Sequence, residues 1–210
     1  MHMHLPAALV SPARACKLSA ELAGPSEADQ EMNMSIESAL LIPIPEAEAL
    51  VARFRIQYDP SAALGVPAHV TVLYPFKPPG ELTKDVVQSL SDLFSRLPGF
   101  GASFTESRRF PGMLYLSPEP TSLFRHLTEI VAEHFPETPP YGGQFAQIIP
   151  HLTVAQVSEP QRLDVIVVAF ERAAQGRLPI QAEVKEVVLM DNESGYWQIR
   201  HRFALATGVA

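Results

Sequence analysis

Two short segments of the chain share one pattern: residues 68–73 read AHVTVL, and residues 150–155 read PHLTVA. Each contains a histidine, an apolar residue, a threonine and a second apolar residue, which we call the HxTx motif. Side chains alternate between the two faces of a β-strand, so such a strand carries its histidine and threonine on one face and its apolar residues on the other. With average composition, two such tetrapeptides arise by chance in about half a per cent of chains of this size. The pair therefore predicts a functional site built from two strands.

The composition is typical of a globular protein, with 210 residues of which 47% are hydrophobic. The longest apolar stretches, residues 39–44 and 165–170, are far shorter than the roughly 20 residues that span a bilayer, so we expect no membrane segment. Cys16 is the single cysteine, and the first residues lack the pattern of a signal peptide. These features favour a cytoplasmic protein, which we expect to be a monomer.

The chain divides into a short N-terminal extension and one domain. Residues 1–34 are dominated by Pro, Ala, Ser and Glu and show no hydrophobic period, so we predict that they are disordered. Residues 35–210 then form the domain, because periodic apolar patterns begin at residue 35 and continue almost to the end.

The periodic segments alternate between strand and helix. We predict strands at residues 35–44, 68–74, 102–110, 113–117, 148–157, 180–190 and 196–206, and helices at 46–58, 82–97, 121–134 and 161–174. The order of the elements is similar to a degenerate duplication. It runs strand, helix, HxTx strand, helix, hairpin, and then helix, HxTx strand, helix, hairpin. Two similar halves of this kind would place the two histidines on opposite sides of a shared groove.

The polar residues of the motifs, His69, Thr71, His151 and Thr153, are suited to acid–base chemistry on a phosphate. One imidazole takes a proton from water or a hydroxyl while the other, protonated, gives one to a leaving oxygen. The threonine hydroxyls can donate hydrogen bonds to the non-bridging oxygens of the phosphate, where charge grows in the transition state. The residues thus predict phosphodiester cleavage with an optimum near neutral pH.

Aromatic and basic residues near the motifs are further candidates. Tyr74, Phe76, Tyr115 and Tyr141 could stack on a nucleotide base, with core or rim packing as the alternative for each. Arg109 could contact a phosphate, or it could lie at a solvated strand end.

Charge and motif content restrict the partners and cofactors. The formal net charge of −7 argues against the binding of a long nucleic-acid tract, which requires a surplus of Lys and Arg. We expect no cofactor and no metal site, because HExxH, CxxC and acidic triads are absent from the sequence.

The paired motifs resemble those of the two-histidine (2H) phosphoesterase superfamily, specifically its bacterial 2′-5′ RNA ligase-like branch. The residues at 74–76 (YPF), 114–116 (LYL) and 140–143 (PYGG) add to the resemblance, which covers about residues 36–206. It implies an α+β, bilobal fold in which two pseudo-symmetric antiparallel-sheet lobes, flanked by helices, enclose a central cleft. It also implies hydrolysis of 2′,3′-cyclic or 2′,5′-linked phosphodiesters.

The leading hypothesis is a metal-independent phosphodiesterase that acts on RNA ends or small nucleotides. Its acid–base pair is His69 and His151, and Thr71 and Thr153 bind the phosphate. Two alternatives remain open: an RNA- or nucleotide-binding module without turnover, and a 2′-5′ RNA ligase that runs the reverse reaction. The sequence does not distinguish which histidine is the acid and which is the base.

Overall fold

The structure, a computed structural model, describes residues 35–144 and 147–207, so the extension predicted at residues 1–34 lies outside the described residues. The strands are β1 (Ser38–Pro43), β2 (His69–Leu73), β3 (Phe100–Phe110), β4 (Met113–Glu119), β5 (Leu152–Gln156), β6 (Ile180–Val184), β7 (Glu186–Asp191) and β8 (Gln198–Ala204). The α-helices are α1 (Pro45–Tyr58), α2 (Pro60–Ala63), α3 (Lys84–Phe94), α4 (Thr121–His134) and α5 (Pro160–Ala174), with 3₁₀ turns at Pro79–Glu81 and Pro140–Gly143.

The strands form two four-stranded antiparallel sheets that repeat one local arrangement. The first sheet has the order β2-β1-β7-β8, and the second has the order β5-β4-β3-β6. Each HxTx segment supplies an edge strand, which pairs with the strand that precedes it in the sequence across a helical connection, β1-α1-α2-β2 in one case and β4-α4-β5 in the other. This arrangement confirms the predicted α+β fold with two pseudo-symmetric lobes.

A large hydrophobic core lies on one face of both sheets, and the apolar residues of the motifs belong to it. Val70, Val72, Leu152 and Val154 are each no more than 2% exposed. Burial of an aliphatic side chain contributes about 1.5–3 kcal/mol, so these residues hold the two strands in register. The histidines and threonines between them are only partly buried, as the alternation predicts.

The helices begin at sequence signals for an N-terminus. Proline occupies the first helical position of α1 and of α5, where its missing N–H is not needed. Helix α3 begins later than predicted because the Thr83 hydroxyl caps it by accepting from the Val86 N–H at 3.3 Å. Helix α4 has the predicted bounds. Within the described ranges, no helix has both the length and the apolar content that crossing a bilayer requires.

The prediction of a single strand at residues 180–190 is wrong, because the segment forms two strands. The chain forms β6 in the second sheet, passes Lys185, and forms β7 in the first sheet. Burial alternates along β6, whereas Val187 to Met190 are all buried because β7 is a central strand covered on both faces. Both halves have strand-forming sequences, so the pattern alone does not reveal the change of sheet.

The predicted hairpin between β3 and β4 is present, and Gly112 forms its turn. This residue has φ +75°, and a Cβ there would lie 2.6 Å from the carbonyl oxygen of Val157. The Val157 N–H donates to the Gly112 carbonyl at 2.8 Å, which brings the end of β5 against the turn. A glycine is required here both by the backbone conformation and by this close approach.

Candidate active site

A cavity of about 430 Å³ lies between the two HxTx strands, and the four predicted polar residues of the motifs all line it: His69, Thr71, His151 and Thr153. Three of them lie on β2 or β5, and His151 immediately precedes β5. The second motif strand is thus shorter than the predicted residues 148–157. Pro150, which cannot donate a backbone hydrogen bond, precedes its histidine. The alternation of side chains along both segments turns their polar residues toward the cavity.

The two imidazoles are held in the same way. Nδ1 of His69 lies 2.7 Å from the Pro67 carbonyl oxygen, and Nδ1 of His151 lies 2.8 Å from the Ile149 carbonyl oxygen. A carbonyl only accepts, so each Nδ1 carries a hydrogen and donates it. Each Nε2 is then the nitrogen that can take up or release a proton in the cavity.

Burial lowers the pKa of both histidines, because a desolvated imidazolium is less stable than a neutral ring. The pKa of His69 falls to about 4, since the burial effect and the nearby positive charge of Arg55 outweigh the hydrogen bond to Pro67 and the charge of Asp59. Burial also lowers the pKa of His151, against the opposing effect of its hydrogen bond to Ile149. Both rings are therefore neutral at pH 7 in the free protein.

The surroundings of His69 include a buried ion pair that the sequence did not reveal. Nε and Nη2 of Arg55 each lie 3.0 Å from Oδ2 of Asp59. Oδ1 of Asp59 accepts from the Ser61 N–H at 3.0 Å and from its hydroxyl at 2.7 Å. Asp59 and Ser61 also line the cavity. The sequence contained one signal for this arrangement. Asp59 is an acidic residue directly before Pro60, a pattern typical of a helix N-cap, and Asp59 caps α2.

The surroundings of His151 are aromatic instead. Its ring meets Phe110 edge to face at a centroid distance of 5.4 Å and Tyr115 at 5.5 Å. Phe110 and Tyr115 stack on each other at 4.3 Å. Tyr115 is only 5% exposed, so it supports the catalytic candidate His151 and does not offer a free face to a base.

The two threonine hydroxyls have different partners. Thr71 shares a hydrogen bond with the phenol of Tyr141, which lines the cavity. Burial raises the pKa of that phenol, and the bond to Thr71 partly opposes the rise. The hydroxyl of Thr153 donates to Sδ of Met113 at 3.8 Å, a weak acceptor. Tyr141 has the left-handed φ of 52°, and its N–H donates to the Tyr74 carbonyl at 2.7 Å.

An apolar wall completes the cavity. Leu41 and Val66 lie on the face of the first sheet that is opposite the main core, and Tyr74 and Trp197 pack against that face. The rings of Tyr74 and Trp197 meet edge to face at 6.2 Å, and the Tyr74 hydroxyl donates to Oε2 of Glu37 at 2.5 Å. The sequence prediction missed Trp197, although it is the single tryptophan and follows a strand-turn signal.

The structure does not bring Phe76 or Arg109 to the cavity. Phe76 is 5% exposed and packs on Phe135 at 5.2 Å, because its N–H donates to Ser38 and its ring turns into the main core. Arg109 pairs with Asp164 at 2.7 Å on an exposed surface. The predicted roles of these two side chains in substrate binding are therefore not supported by their positions.

The arrangement offers proton transfer and hydrogen bonding to a small anion. Two neutral imidazoles and two hydroxyls converge on one cavity with an apolar wall. Between residues 35 and 207, leaving aside 145 and 146, no group of three or more His, Cys, Asp or Glu side chains has a metal-binding arrangement.

Comparison with known proteins identifies the family. A model of the 2′-5′ RNA ligase superfamily matches residues 43–195. A Bacillus cereus protein named "Putative phosphoesterase" is 27% identical over 169 residues, which are 73% of this chain and 87% of that protein. E. coli LigT complexed with 3′-AMP has a TM-score of 0.52 at 16% identity, and covers 81% of this chain and 98% of its own. TT0787 of Thermus thermophilus has a TM-score of 0.53 at 15% identity, with coverages of 81% and 98%.

These solved structures share the fold of the chain, and the matching family model spans both HxTx motifs. The resemblance drawn from the paired motifs is thereby confirmed, and the chain belongs to the 2′-5′ RNA ligase superfamily.

Proposed function

We propose that the protein is a phosphodiesterase that hydrolyses 2′,3′-cyclic or 2′,5′-linked phosphodiesters of small nucleotides or RNA ends. The observation that carries the proposal is the matched geometry of His69 and His151. Both donate Nδ1–H to a carbonyl two residues earlier, which leaves both Nε2 atoms for proton transfer in the same cavity. One neutral and one protonated imidazole form the acid–base pair of such a reaction.

In the proposed hydrolysis, the neutral histidine takes a proton from water as the water oxygen attacks phosphorus. The protonated histidine gives its proton to the leaving 2′, 3′ or 5′ oxygen as the P–O bond breaks. The products are a phosphomonoester and a free hydroxyl, and proton exchange with solvent restores both rings. Thr71 and Thr153 donate hydrogen bonds to the non-bridging oxygens, where negative charge increases. No metal takes part.

The pKa values support one division of roles. His69, whose pKa falls to about 4, is the better candidate for the neutral base, and His151 for the protonated acid. A bound phosphodiester carries one negative charge, which favours protonation of a nearby imidazole. Substrate binding itself would then help to produce the singly protonated pair.

The size of the cavity supports a small substrate. A volume of about 430 Å³ is within the range of sites for small ligands, and the apolar wall suits a nucleobase. E. coli LigT, which shares the fold, has been solved in complexes with 3′-AMP and with NADP+. We infer that a nucleotide is the ligand class here as well.

The test is turnover of three substrates by the full chain in the presence of EDTA: adenosine 2′,3′-cyclic phosphate, a 2′,5′-linked diadenylate and a 3′,5′-linked diadenylate. We expect hydrolysis of one or both of the first two and none of the third. His126→Ala, which alters an exposed histidine on α4, is the matched control and should retain full activity. Binding without turnover would favour a nucleotide-binding module, and activity that needs an added divalent ion would contradict the proposed mechanism.

A further inference from the structure

A second cavity, of about 380 Å³, adjoins the active-site cavity. Asp59, Pro60 and Gln156 line both of them, so the two cavities share one wall. The rest of the second cavity is formed by the end of α1, the start of α5 and the segment that joins β5 to α5. Its volume is again within the range of small-ligand sites.

A bulge in β5 turns Gln156 toward these cavities. Thr153 pairs with Tyr115 and Ala155 with Leu114, so Val154 is an extra residue in β5. One extra residue reverses the alternation of side chains in the rest of the strand. Ala155 is accordingly buried in the core, and Gln156 is exposed at the wall that the cavities share. Its amide can both donate and accept hydrogen bonds there.

Arg162 provides a positive charge in the second cavity, which is also lined by Glu159 and by Asp59, the partner of Arg55. Its guanidinium carbon lies 5.4 Å from the ring centre of Tyr58, which also lines this cavity. In the part of the chain that the structure describes, Arg162 has no carboxylate partner, whereas Arg55 and Arg109 each pair with an aspartate. A guanidinium held over an aromatic face presents its N–H groups in the planar fork that suits a phosphate.

We propose that the second cavity is a nucleotide subsite, which holds the neighbour of the nucleotide that bears the scissile phosphate, with Arg162 in contact with the phosphate of that neighbour. The preferred substrate would then contain at least two nucleotides, one in each cavity, with its backbone crossing the wall at Gln156. The identity of the ligand rests on the function proposed above, and the position of the subsite rests on the two adjoining cavities.

The subsite can be tested by calorimetric binding of two probes to the full chain. One probe is adenosine 2′-monophosphate, and the other is a 5′-phosphorylated 3′,5′-linked diadenylate that ends in a 2′-phosphate. We expect Arg162→Ala to weaken binding of the dinucleotide by roughly 10–100-fold, as expected for a charged hydrogen bond, and to leave binding of the mononucleotide unchanged. Arg162→Lys should retain part of the affinity. Arg172→Ala, on an exposed position of the same helix, should alter neither.

Equal effects of Arg162→Ala on both probes, or no effect on either, would overturn the subsite. Turnover separates this outcome from failure of the proposed function. If binding of the dinucleotide depends on Arg162 but no cyclic or 2′,5′-linked substrate is hydrolysed, the subsite is supported and the phosphodiesterase activity is contradicted. If the cyclic and the 2′,5′-linked substrates are both hydrolysed and Arg162→Ala does not change binding of the dinucleotide, the phosphodiesterase activity is supported and the subsite is contradicted.

Discussion

The two HxTx segments repeat each other in backbone and differ in their surroundings. In both, Nδ1 donates to the carbonyl two residues earlier, and the apolar residues enter the main core. His69, however, lies near the buried Arg55–Asp59 ion pair, whereas His151 packs against two aromatic rings. The larger decrease in pKa falls on His69. The repeat thus sets the orientation of the two imidazole rings, and the unrepeated neighbours set how readily each ring accepts a proton.

The largest expected effect is on turnover. We predict that His69→Ala and His151→Ala each lower kcat by about 10²–10⁴-fold, the usual contribution of a general acid or base. The double variant should lose little more than either single variant, because the two groups act in one proton transfer. Steady-state kinetics on a cyclic nucleotide checks this. A variant of either histidine that keeps most of the activity would show that the two segments are not functional equivalents.

The pH dependence distinguishes the two roles. Because both pKa values are lowered, we expect the optimum of kcat/KM to lie on the acidic side of neutrality, above the pKa of about 4 of His69. This replaces the neutral optimum expected from the sequence. His69→Ala should lose the acidic limb of the profile, and His151→Ala the basic limb. The opposite assignment would exchange the roles of base and acid.

The charged surroundings of His69 predict the next largest effect, on stability. Asp59→Asn leaves the buried Arg55 without its counter-charge, so we expect a loss of about 3–5 kcal/mol in the free energy of unfolding. Asp164→Asn, which breaks the exposed pair with Arg109, is the control and should cost less than about 1 kcal/mol. Urea denaturation measures both. Similar losses in the two variants would mean that the buried pair contributes no more than the surface pair.

The threonines should affect turnover less than the histidines do on average. We predict that Thr71→Val and Thr153→Val each reduce kcat by up to about 10²–10³-fold, the effect of removing one donor to a developing oxyanion. Thr71→Val also removes a partner of Tyr141, whereas Thr153→Val removes only a weak bond to Met113. Unchanged thermal unfolding would show that the loss is catalytic. Full activity in both variants would exclude the threonines as phosphate ligands.

The smallest expected effect is the pH dependence of stability. The pKa of His69 is about 4 in the folded protein and about 6.5 when unfolded, so the unfolded chain binds more protons between these values. The contribution of His69 to the free energy of unfolding is therefore present above pH 6.5. Up to about 3 kcal/mol of it is lost as the pH falls through 4. Urea denaturation at pH 7, 5.5 and 4 should show a smaller loss in His69→Gln than in the unmodified chain. Equal losses of stability in His69→Gln and in the unmodified chain would contradict the lowered pKa of His69.

Local periodicity was sufficient to predict most of the elements and the core of the site, but not helix α2 or the division of residues 180–190 into two strands. The alternation around His69 and His151 placed the apolar neighbours in the core and the polar ones at the cavity, as the structure has them. Helix α4 was predicted with its observed bounds because its apolar stripe and the proline before it are both local signals.

Features that depend on distant segments could not be predicted. Trp197 reaches the cavity only because its N–H donates to the carbonyl of Leu64, across the loop before β2. Phe76 takes the alternative position, in core packing, because the backbone bond to Ser38 directs its ring into the core. The reversal at Gln156 depends on the bulge in β5, which appears only when the strand pairs with β4.

The change of sheet at Lys185 restricts how the protein can be synthesised and folded. Strand β7 lies between β1 and β8, so β1 has no partner on one side until the ribosome has made residues 186–191. A nascent chain that ends after the second HxTx segment contains both histidines but only half of the first sheet. Such an exposed strand edge is prone to pair with other chains. The two halves are thus similar in plan but not in sequence: the strands of the second sheet all lie within residues 100–184, whereas the first sheet takes its last two strands from residues 186–204.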